Sequence, residues 1–248
     1  MKGVILAGGT GSRLSPLTKV TNKHLLPVYD EPMIFKVVNT LLGSGVRDIM
    51  VVLGGESVGD IVRLLGSGKG FGEDVRFTYA YQDRAGGIAE ALSLTESFVG
   101  DDDVAVMLGD NIFEGTFSAQ VRAFPKDRAN ECYLFLKRVP DPERFGVATR
   151  DAKGRITGIV EKPKKPRSDW AVTGIYMYRA NVFGAIKEVV DRIGYSARGE
   201  LEITDVNNVY VGRGTAKGIE IRGFWSDAGK FETLLRSADF VASRSGVR

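Results

Sequence analysis

The sequence predicts an α/β fold, with a mixed, largely parallel sheet flanked by helices and a β-rich second half. Three observations predict it. Short apolar runs alternate with helical patterns through the first half of the 248 residues. The first of those runs ends directly in paired glycines, Gly8-Gly9. The second half changes character, to β-rich segments separated by turn signals such as Asp151-Ala152-Lys153-Gly154. Strand–helix alternation implies parallel pairing through right-handed crossovers. Ligands are then expected at the carboxyl ends of the strands.

Each element follows from local pattern. Val4–Ala7 reads as a buried strand. Pro32 after Glu31 suits the first turn of a helix, in which Ile34, Val37, Val38, Leu41 and Leu42 recur at helical spacing until Gly43 and Gly45 end it. Ile49–Leu53 is a second buried strand, Val58–Leu65 a helix, Phe77–Tyr81 a strand, Ala89–Phe98 a helix and Val104–Leu108 a fourth strand. Further strands are expected at Tyr133–Val139, Gly146–Thr149, Ile156–Glu161 and Val172–Tyr178. Helices follow at Val182–Arg192 and around Thr204–Val211, then a strand at Ile219–Phe224 and a helix from about Phe231 to Ala242. There is no internal repeat, and the stiff charged connector 163–168 is too short to separate independent domains. One domain spanning 1–248 is expected.

Composition excludes several classes. The chain is 43% hydrophobic and 26% charged, ordinary for a globular protein with a sizeable core. Lys and Arg number 34 against 31 Asp and Glu, too balanced for a dedicated nucleic-acid binder. Cys132 is the single cysteine, so no intrachain disulfide and no CxxC metal or redox pattern exists; its apolar surroundings predict a buried structural thiol. No signal-peptide core develops before the N-terminal glycines, and no apolar run reaches membrane-spanning length. A soluble, cytoplasmic protein without nucleic-acid or membrane partners is expected.

The loop Gly8-Gly9-Thr10-Gly11-Ser12-Arg13-Leu14 is the first chemical signal. Its three glycines permit positive φ and let backbone N–H groups approach a polyphosphate. It is not a Walker A loop, because Gly11 is followed by Ser12-Arg13 instead of Lys-Ser/Thr. It is not a dinucleotide fingerprint either, because Leu14 stands where the third glycine belongs. Arg13 can set a bidentate guanidinium on phosphate oxygens. Lys23, ahead of the apolar turn His24-Leu25-Leu26-Pro27-Val28, would bring a second cation back toward the loop.

Together with Asn22–Met33, this loop resembles the signature of the glucose-1-phosphate thymidylyltransferases, a family of sugar-1-phosphate nucleotidyltransferases with a Rossmann-like fold. That signature is G-G-x-G-[ST]-R-L followed by K-x-L-x-P. The blocks Leu108–Phe113, Glu161-Lys162-Pro163, 171–176 and 197–207 are similar to further family blocks, so the resemblance runs from residue 2 to about residue 243. It implies a nucleotide-binding part over 1–115 and a sugar-phosphate-binding part over 116–248.

The resemblance also implies roles. Leu6, Gly8, Gly9 and Gly11 would cradle the nucleotide, Gln82 would pair with the base edge, and Gly87 would let the base lie against backbone. Asp110 and Asp227 would hold Mg²⁺, whose preference for hard oxygen suits them. Arg13 would take the pyrophosphate side, Lys23 the α-phosphate region, and Lys162 the phosphate of the sugar. Glu161, Gly146, Thr173 and the backbone of Val172 would take sugar hydroxyls, with Tyr176 and Arg198 in the same pocket. Taken alone, these residues have ordinary readings: Asp110 as a turn residue, Asp227 as a helix N-cap, Lys162 as a solvated strand-end lysine. If the strand persists past Glu161, Lys162 and Glu161 point oppositely.

Departures from the family pattern fall in two segments. Gln82-Asp83-Arg84-Ala85-Gly86-Gly87 lacks the usual proline, which leaves thymine against uracil open. Ala228 and Lys230 replace usual threonines. The chain also stops soon after its final helix, where many relatives carry a helical segment used for oligomer contact and a regulatory nucleotide site; tetramer assembly and feedback control are therefore not carried over, and a homo-oligomer stays open. The expected reaction is Mg²⁺-dependent thymidylyl transfer from dTTP to glucose 1-phosphate, giving dTDP-glucose and pyrophosphate. Uridylyl transfer or relaxed base use, a catalytically silent sugar-nucleotide sensor and a nicotinamide-dependent dehydrogenase are the competing readings. The dehydrogenase gives Lys23, Lys162 and the two Asp positions no purpose.

Overall fold

The structure, a computed structural model, describes residues 1–245. It comprises two compact units that interleave along the chain. The first contains Lys2–Ala85, Met107–Ala119 and the segment from Gly223; the second contains Met1, Gly86–Val106 and Gln120–Arg222. The class is α/β, as predicted.

The chain opens with β1 (Lys2–Ala7), the two-residue strands β2 (Pro27–Val28) and β3 (Glu31–Pro32), α1 (Met33–Gly43), β4 (Asp48–Gly54), α2 (Val58–Leu65) and β5 (Arg76–Gln82). Next come α3 (Ile88–Ser93), α4 (Glu96–Val99), β6 (Val104–Leu108), β7 (Asn111–Phe113) and α5 (Ser118–Ala123). Then follow β8 (Cys132–Arg138), β9 (Gly146–Arg150), β10 (Ile156–Glu161) and β11 (Trp170–Tyr178). The last elements are α6 (Val182–Arg192), α7 (Ile203–Arg213), β12 (Ala216–Glu220), β13 (Trp225–Asp227) and α8 (Phe231–Arg244).

In the first unit β1, β4 and β5 run parallel, with Ala7 opposite Leu53 and Gly54 opposite Gln82, so the carboxyl ends finish level. β1 and β4 are apolar without alternation because both of their faces are buried. The buried stripe of α1, Ile34, Val37, Val38 and Leu41, belongs to the same core. In the second unit β9 and β10 form an antiparallel pair, and β11 lies antiparallel to both β8 and β9. β12 runs parallel to β8. All nine residues of β11 are buried. Buried Tyr178 donates its hydroxyl to Asn207 Oδ1 at 2.6 Å, which ties the sheet to α7.

Two elements differ from expectation. The helix expected over Ala89–Phe98 breaks at Leu94-Thr95, where Thr95 Oγ1 donates back to Leu92 O at 2.8 Å and competes with helix propagation. The strand expected at Ile219–Phe224 is present only at its first two residues, and a separate short strand begins at Trp225. β12 ends at Glu220, and the chain turns at Gly223, where a Cβ would come within 2.8 Å of Glu114 Oε2. Phe224 N–H then donates to that same carboxylate. Cys132 is buried, and burial pushes its thiol pKa well up, as a structural cysteine requires. Among the described residues no helix is long and apolar enough to cross a membrane.

Candidate active site

The glycine loop leaves β1 and enters a short 3-10 turn, Ser12–Leu14. Of its three glycines only Gly11 adopts a positive φ, 67°. The other two lie against side chains that reach the loop from other segments. A Cβ on Gly8 would lie 2.9 Å from Gln82 Oε1, and one on Gly9 would lie 3.1 Å from Lys23 Nζ. Gly54, at the end of β4, is equally confined, with Gly8 backbone and Gln82 O each 3.1 Å from where its Cβ would be. Gly8, Gly54 and Gln82 thus converge at the level carboxyl ends of three parallel strands.

Gly109 N–H donates to Leu6 O at 2.9 Å, and this bond sets the next residue, Asp110, beside the loop. Lys23 reaches the same place from its own turn. Asn22 caps that turn, its Oδ1 accepting from His24 N–H at 3.0 Å. Lys23 Nζ then pairs with Asp110 Oδ2 at 2.7 Å, both side chains nearly buried. The other carboxylate oxygen accepts from Asn111 Nδ2 at 2.9 Å. Burial works to raise the Asp110 pKa, but the Lys23 charge and these hydrogen bonds outweigh it and hold the carboxyl well below the usual carboxylate range. His24 lies under Gly109 with its Nδ1 2.7 Å from Asn22 Oδ1. Burial, then the Lys23 charge, pull its pKa down to about 3, so it is a neutral packing residue.

Asp227 is not a helix cap. It ends β13, three residues before Lys230, the N-cap of α8. The β13–β7 ribbon pairs it with Asn111, the neighbour of Asp110, and Ala228 N–H donates to Asp110 O at 2.8 Å. At Gly229 a Cβ would meet Arg13 Nη2 at 3.1 Å and Asp110 Oδ2 at 3.5 Å. Arg13, Lys23, Asp110 and Asp227, far apart in sequence, are therefore drawn together in one unit.

The second unit holds the other predicted residues. Glu161 ends β10, and Thr204 Oγ1 donates to its Oε2 at 2.6 Å. Lys162 Nζ lies 3.3 Å from Glu161 Oε1, and Arg198 Nη2 lies 3.6 Å from the same oxygen. The expected opposite orientation of Lys162 and Glu161 does not arise. The strand ends at Glu161, and Lys162 turns into the left-handed region at φ 42°, which is unusual for a lysine and more so before Pro163. A strained non-glycine residue persists where its surroundings over-determine it, often at a functional position. Gly146 packs against Thr204 and Glu161. Thr173 is fully buried and its hydroxyl donates to Phe135 O at 3.0 Å, while Tyr176 is buried and stacked on Tyr178; both side chains lie in the core. Val172 is also buried.

Gly87 also lies in the second unit. Its φ is 99°, and a Cβ there would meet Leu201 O at 2.5 Å and Leu201 N at 2.7 Å. Gly87→Ala is therefore expected to destabilise the protein by about 2–4 kcal/mol through backbone clash and forbidden φ. Thermal unfolding would read this as a drop in melting temperature, and an unchanged transition would refute it.

Sequence reasoning gave no role to Gly54, Asn111, Thr204 or Gly229. Gly54-Gly55 after a buried strand repeats the Gly8-Gly9 pattern and was a usable signal. The contact of Thr204 with Glu161 spans 43 residues and has no local signal.

Comparison with known proteins gives the family and the fold. The nucleotidyl transferase family profile matches residues 2–244. Glucose-1-phosphate thymidylyltransferase of Neisseria meningitidis serogroup A is 41% identical over 251 residues, covering 100% of this chain and 85% of that protein. The enzyme of the same name from Actinoplanes sp. is 42% identical, covering 97% and 78%. The chain belongs to the glucose-1-phosphate thymidylyltransferase family of nucleotidyl transferases. A crystal structure of a Bacillus anthracis protein assigned to the same activity, in complex with sucrose, is 50% identical, with TM-score 0.90 and coverage of 100% and 96%. A UDP-glucose pyrophosphorylase complexed with UDP-glucose shares the fold at TM-score 0.82 and 23% identity.

The departures from the thymidylyltransferase pattern now have physical readings. Ala228, in place of a threonine, is fully buried in an apolar cluster with Val28, Met33 and Ile112. A hydroxyl there would need a partner that this cluster lacks. Lys230, at the other threonine position, is the N-cap of α8, and its N–H donates to Thr233 Oγ1 at 3.1 Å.

Proposed function

We propose that this enzyme transfers a thymidylyl group from dTTP to glucose 1-phosphate, releasing pyrophosphate and giving dTDP-glucose. The observation that carries the reading is the gathering of Arg13, Lys23 and Asp110 beside the glycine loop at the end of β1. The names and full-length identity of the relatives support the substrates.

In this reading Arg13 neutralises the departing pyrophosphate and Lys23 the α-phosphate. Lys162 binds the phosphate of the sugar, the attacking anion, so no histidine base is needed. Glu161, steadied by Thr204, accepts from sugar hydroxyls with backbone at Gly146 and Val172. Gln82 reads the base edge. Both units serve one nucleotidyltransferase domain, since the family profile runs through both. Positioning two anions and screening their charge dominates such catalysis.

Asp110 and Asp227 are the residues that would hold a magnesium ion, since the β13–β7 ribbon pairs Asp227 with Asn111, the neighbour of Asp110. Among the described residues no group of three or more His, Cys, Asp or Glu is arranged around a metal position. Two carboxylates suit Mg²⁺, which draws its remaining ligands from phosphates and water. When bound, the ion would supply charge stabilisation at the phosphates. A cytoplasmic setting agrees with the single buried cysteine.

Pyrophosphate release across dTTP, UTP, CTP, ATP and GTP with several sugar 1-phosphates tests the proposal. Release is expected to be greatest with dTTP and glucose 1-phosphate. Comparable release with UTP would favour the relaxed reading, which the missing proline after Gln82 and the charged pair Asp83-Arg84 motivate. No release with any triphosphate would favour a sensor.

Lys162→Asn is a sharper test of the sugar side, because asparagine tolerates the left-handed backbone. The variant should fold normally and lose about 10²–10³ in rate, since a preorganised charge is removed from the nucleophile. Full activity in the folded variant would remove Lys162 from the reaction.

A further inference from the structure

We propose that Lys23 occupies the cation position on Asp110 in the nucleotide-free protein, so that the divalent ion enters only together with the triphosphate. This rests on the nucleotidyltransfer reading of the site above.

Three observations carry it. Lys23 Nζ lies 2.7 Å from Asp110 Oδ2, with both side chains only 12% and 13% exposed, so little water competes for the pair. The remaining oxygen, Oδ1, accepts from Asn111 Nδ2, whose own amide is oriented because Trp225 Nε1 donates to Asn111 Oδ1 at 2.7 Å. The carboxylate is therefore held on both sides by protein donors. Third, the lysine runs along the glycine loop where the phosphates are proposed to bind: a Cβ on Gly11 would lie 2.9 Å from Lys23 Cβ, and one on Gly9 would lie 3.1 Å from Nζ.

A carboxylate already paired with an ammonium attracts a doubly charged ion less strongly, and Mg²⁺ dehydrates reluctantly. An ion binding Oδ2 would also stand against the ammonium group at short range. A triphosphate reverses both terms. It brings several negative charges and its own oxygen ligands, and it offers Lys23 a phosphate in exchange for Asp110. The lysine then moves from carboxylate to phosphate as the ion arrives. Metal and nucleotide would bind as one unit, and the free protein would take up neither magnesium nor manganese on its own.

Manganese binding, read by electron paramagnetic resonance of the free ion and by water-proton relaxation, tests this without turnover. Nucleotide-free wild type should bind Mn²⁺ at least tenfold more weakly than Lys23→Met. The gain should vanish in Lys23→Met/Asp110→Asn, which locates it on Asp110. Wild type without sugar phosphate should form a ternary complex with Mn²⁺ and dTTP that gives its own relaxation enhancement. Tight Mn²⁺ binding by nucleotide-free wild type would overturn the proposal, and this measurement needs no variant. Equal weak binding by wild type and a folded Lys23→Met would overturn it as well. Failure of wild type to capture Mn²⁺ with dTTP would instead overturn the nucleotidyltransfer reading on which the proposal rests.

Discussion

Arg13→Ala is expected to lower turnover by about 10²–10³ while the protein stays folded, because one preorganised cation facing the triphosphate is removed. The fold should survive. Arg13 sits in the exposed turn Ser12–Leu14, whose buried anchor is Leu14, and the turn is closed by backbone, with Leu14 N–H on Gly11 O at 2.8 Å. The guanidinium lies beside Gly229, where a Cβ would come within 3.1 Å of Nη2. Lysine at this position should restore part of the loss, since it returns charge without the planar fork that pairs with phosphate oxygens. Steady-state pyrophosphate release with circular dichroism as the folding control measures both. Near-normal turnover in folded Arg13→Ala would exclude this loop as the phosphate grip.

Much of the first unit was legible because parallel strands buried on both faces leave unbroken apolar runs. Ile49–Leu53 falls within β4 for that reason, and Val58–Leu65 coincides with α2 through clear helical spacing. The α3–α4 break was not legible, because Thr95 decides it through a bond to its own backbone. The interleaving of the two units was hidden for a different reason. Segments 86–106 and the stretch from Gly223 join sequence-distant partners, which local periodicity does not encode.

The candidate site shows the same division. The loop and Asp110 announce themselves at strand ends, where α/β folds place ligands. Asp227 carried an equally plain reading as an N-cap, and only its pairing across the β7–β13 ribbon separates the two. Thr173 shows the opposite case. Resemblance assigned it to the sugar, but β11 turns its hydroxyl onto Phe135 O in the core. Family pattern preserves residue identity there without telling side chain from backbone.

Asp110→Asn should have the largest effect of any single change at the site, because it removes two things at once. The carboxylate that would hold the divalent ion is lost, and Lys23 keeps its charge in a nearly buried position with a neutral amide opposite. Breaking a buried pair from one side costs about 3–5 kcal/mol, and the partial exposure of this pair sets the expected loss at the lower end. Turnover should fall by about 10³ or more, from the loss of charge stabilisation at the phosphates. The two consequences separate in a double-mutant cycle. Adding Lys23→Met to Asp110→Asn removes the stranded charge, so stability should recover by part of the loss while turnover does not. Denaturant unfolding and pyrophosphate release on the same four proteins supply the cycle. If stability and activity recovered together, Asp110 would be a structural partner of Lys23 and not a group that serves the phosphates. If neither single variant changed stability, the 2.7 Å pair would be a contact without energetic weight.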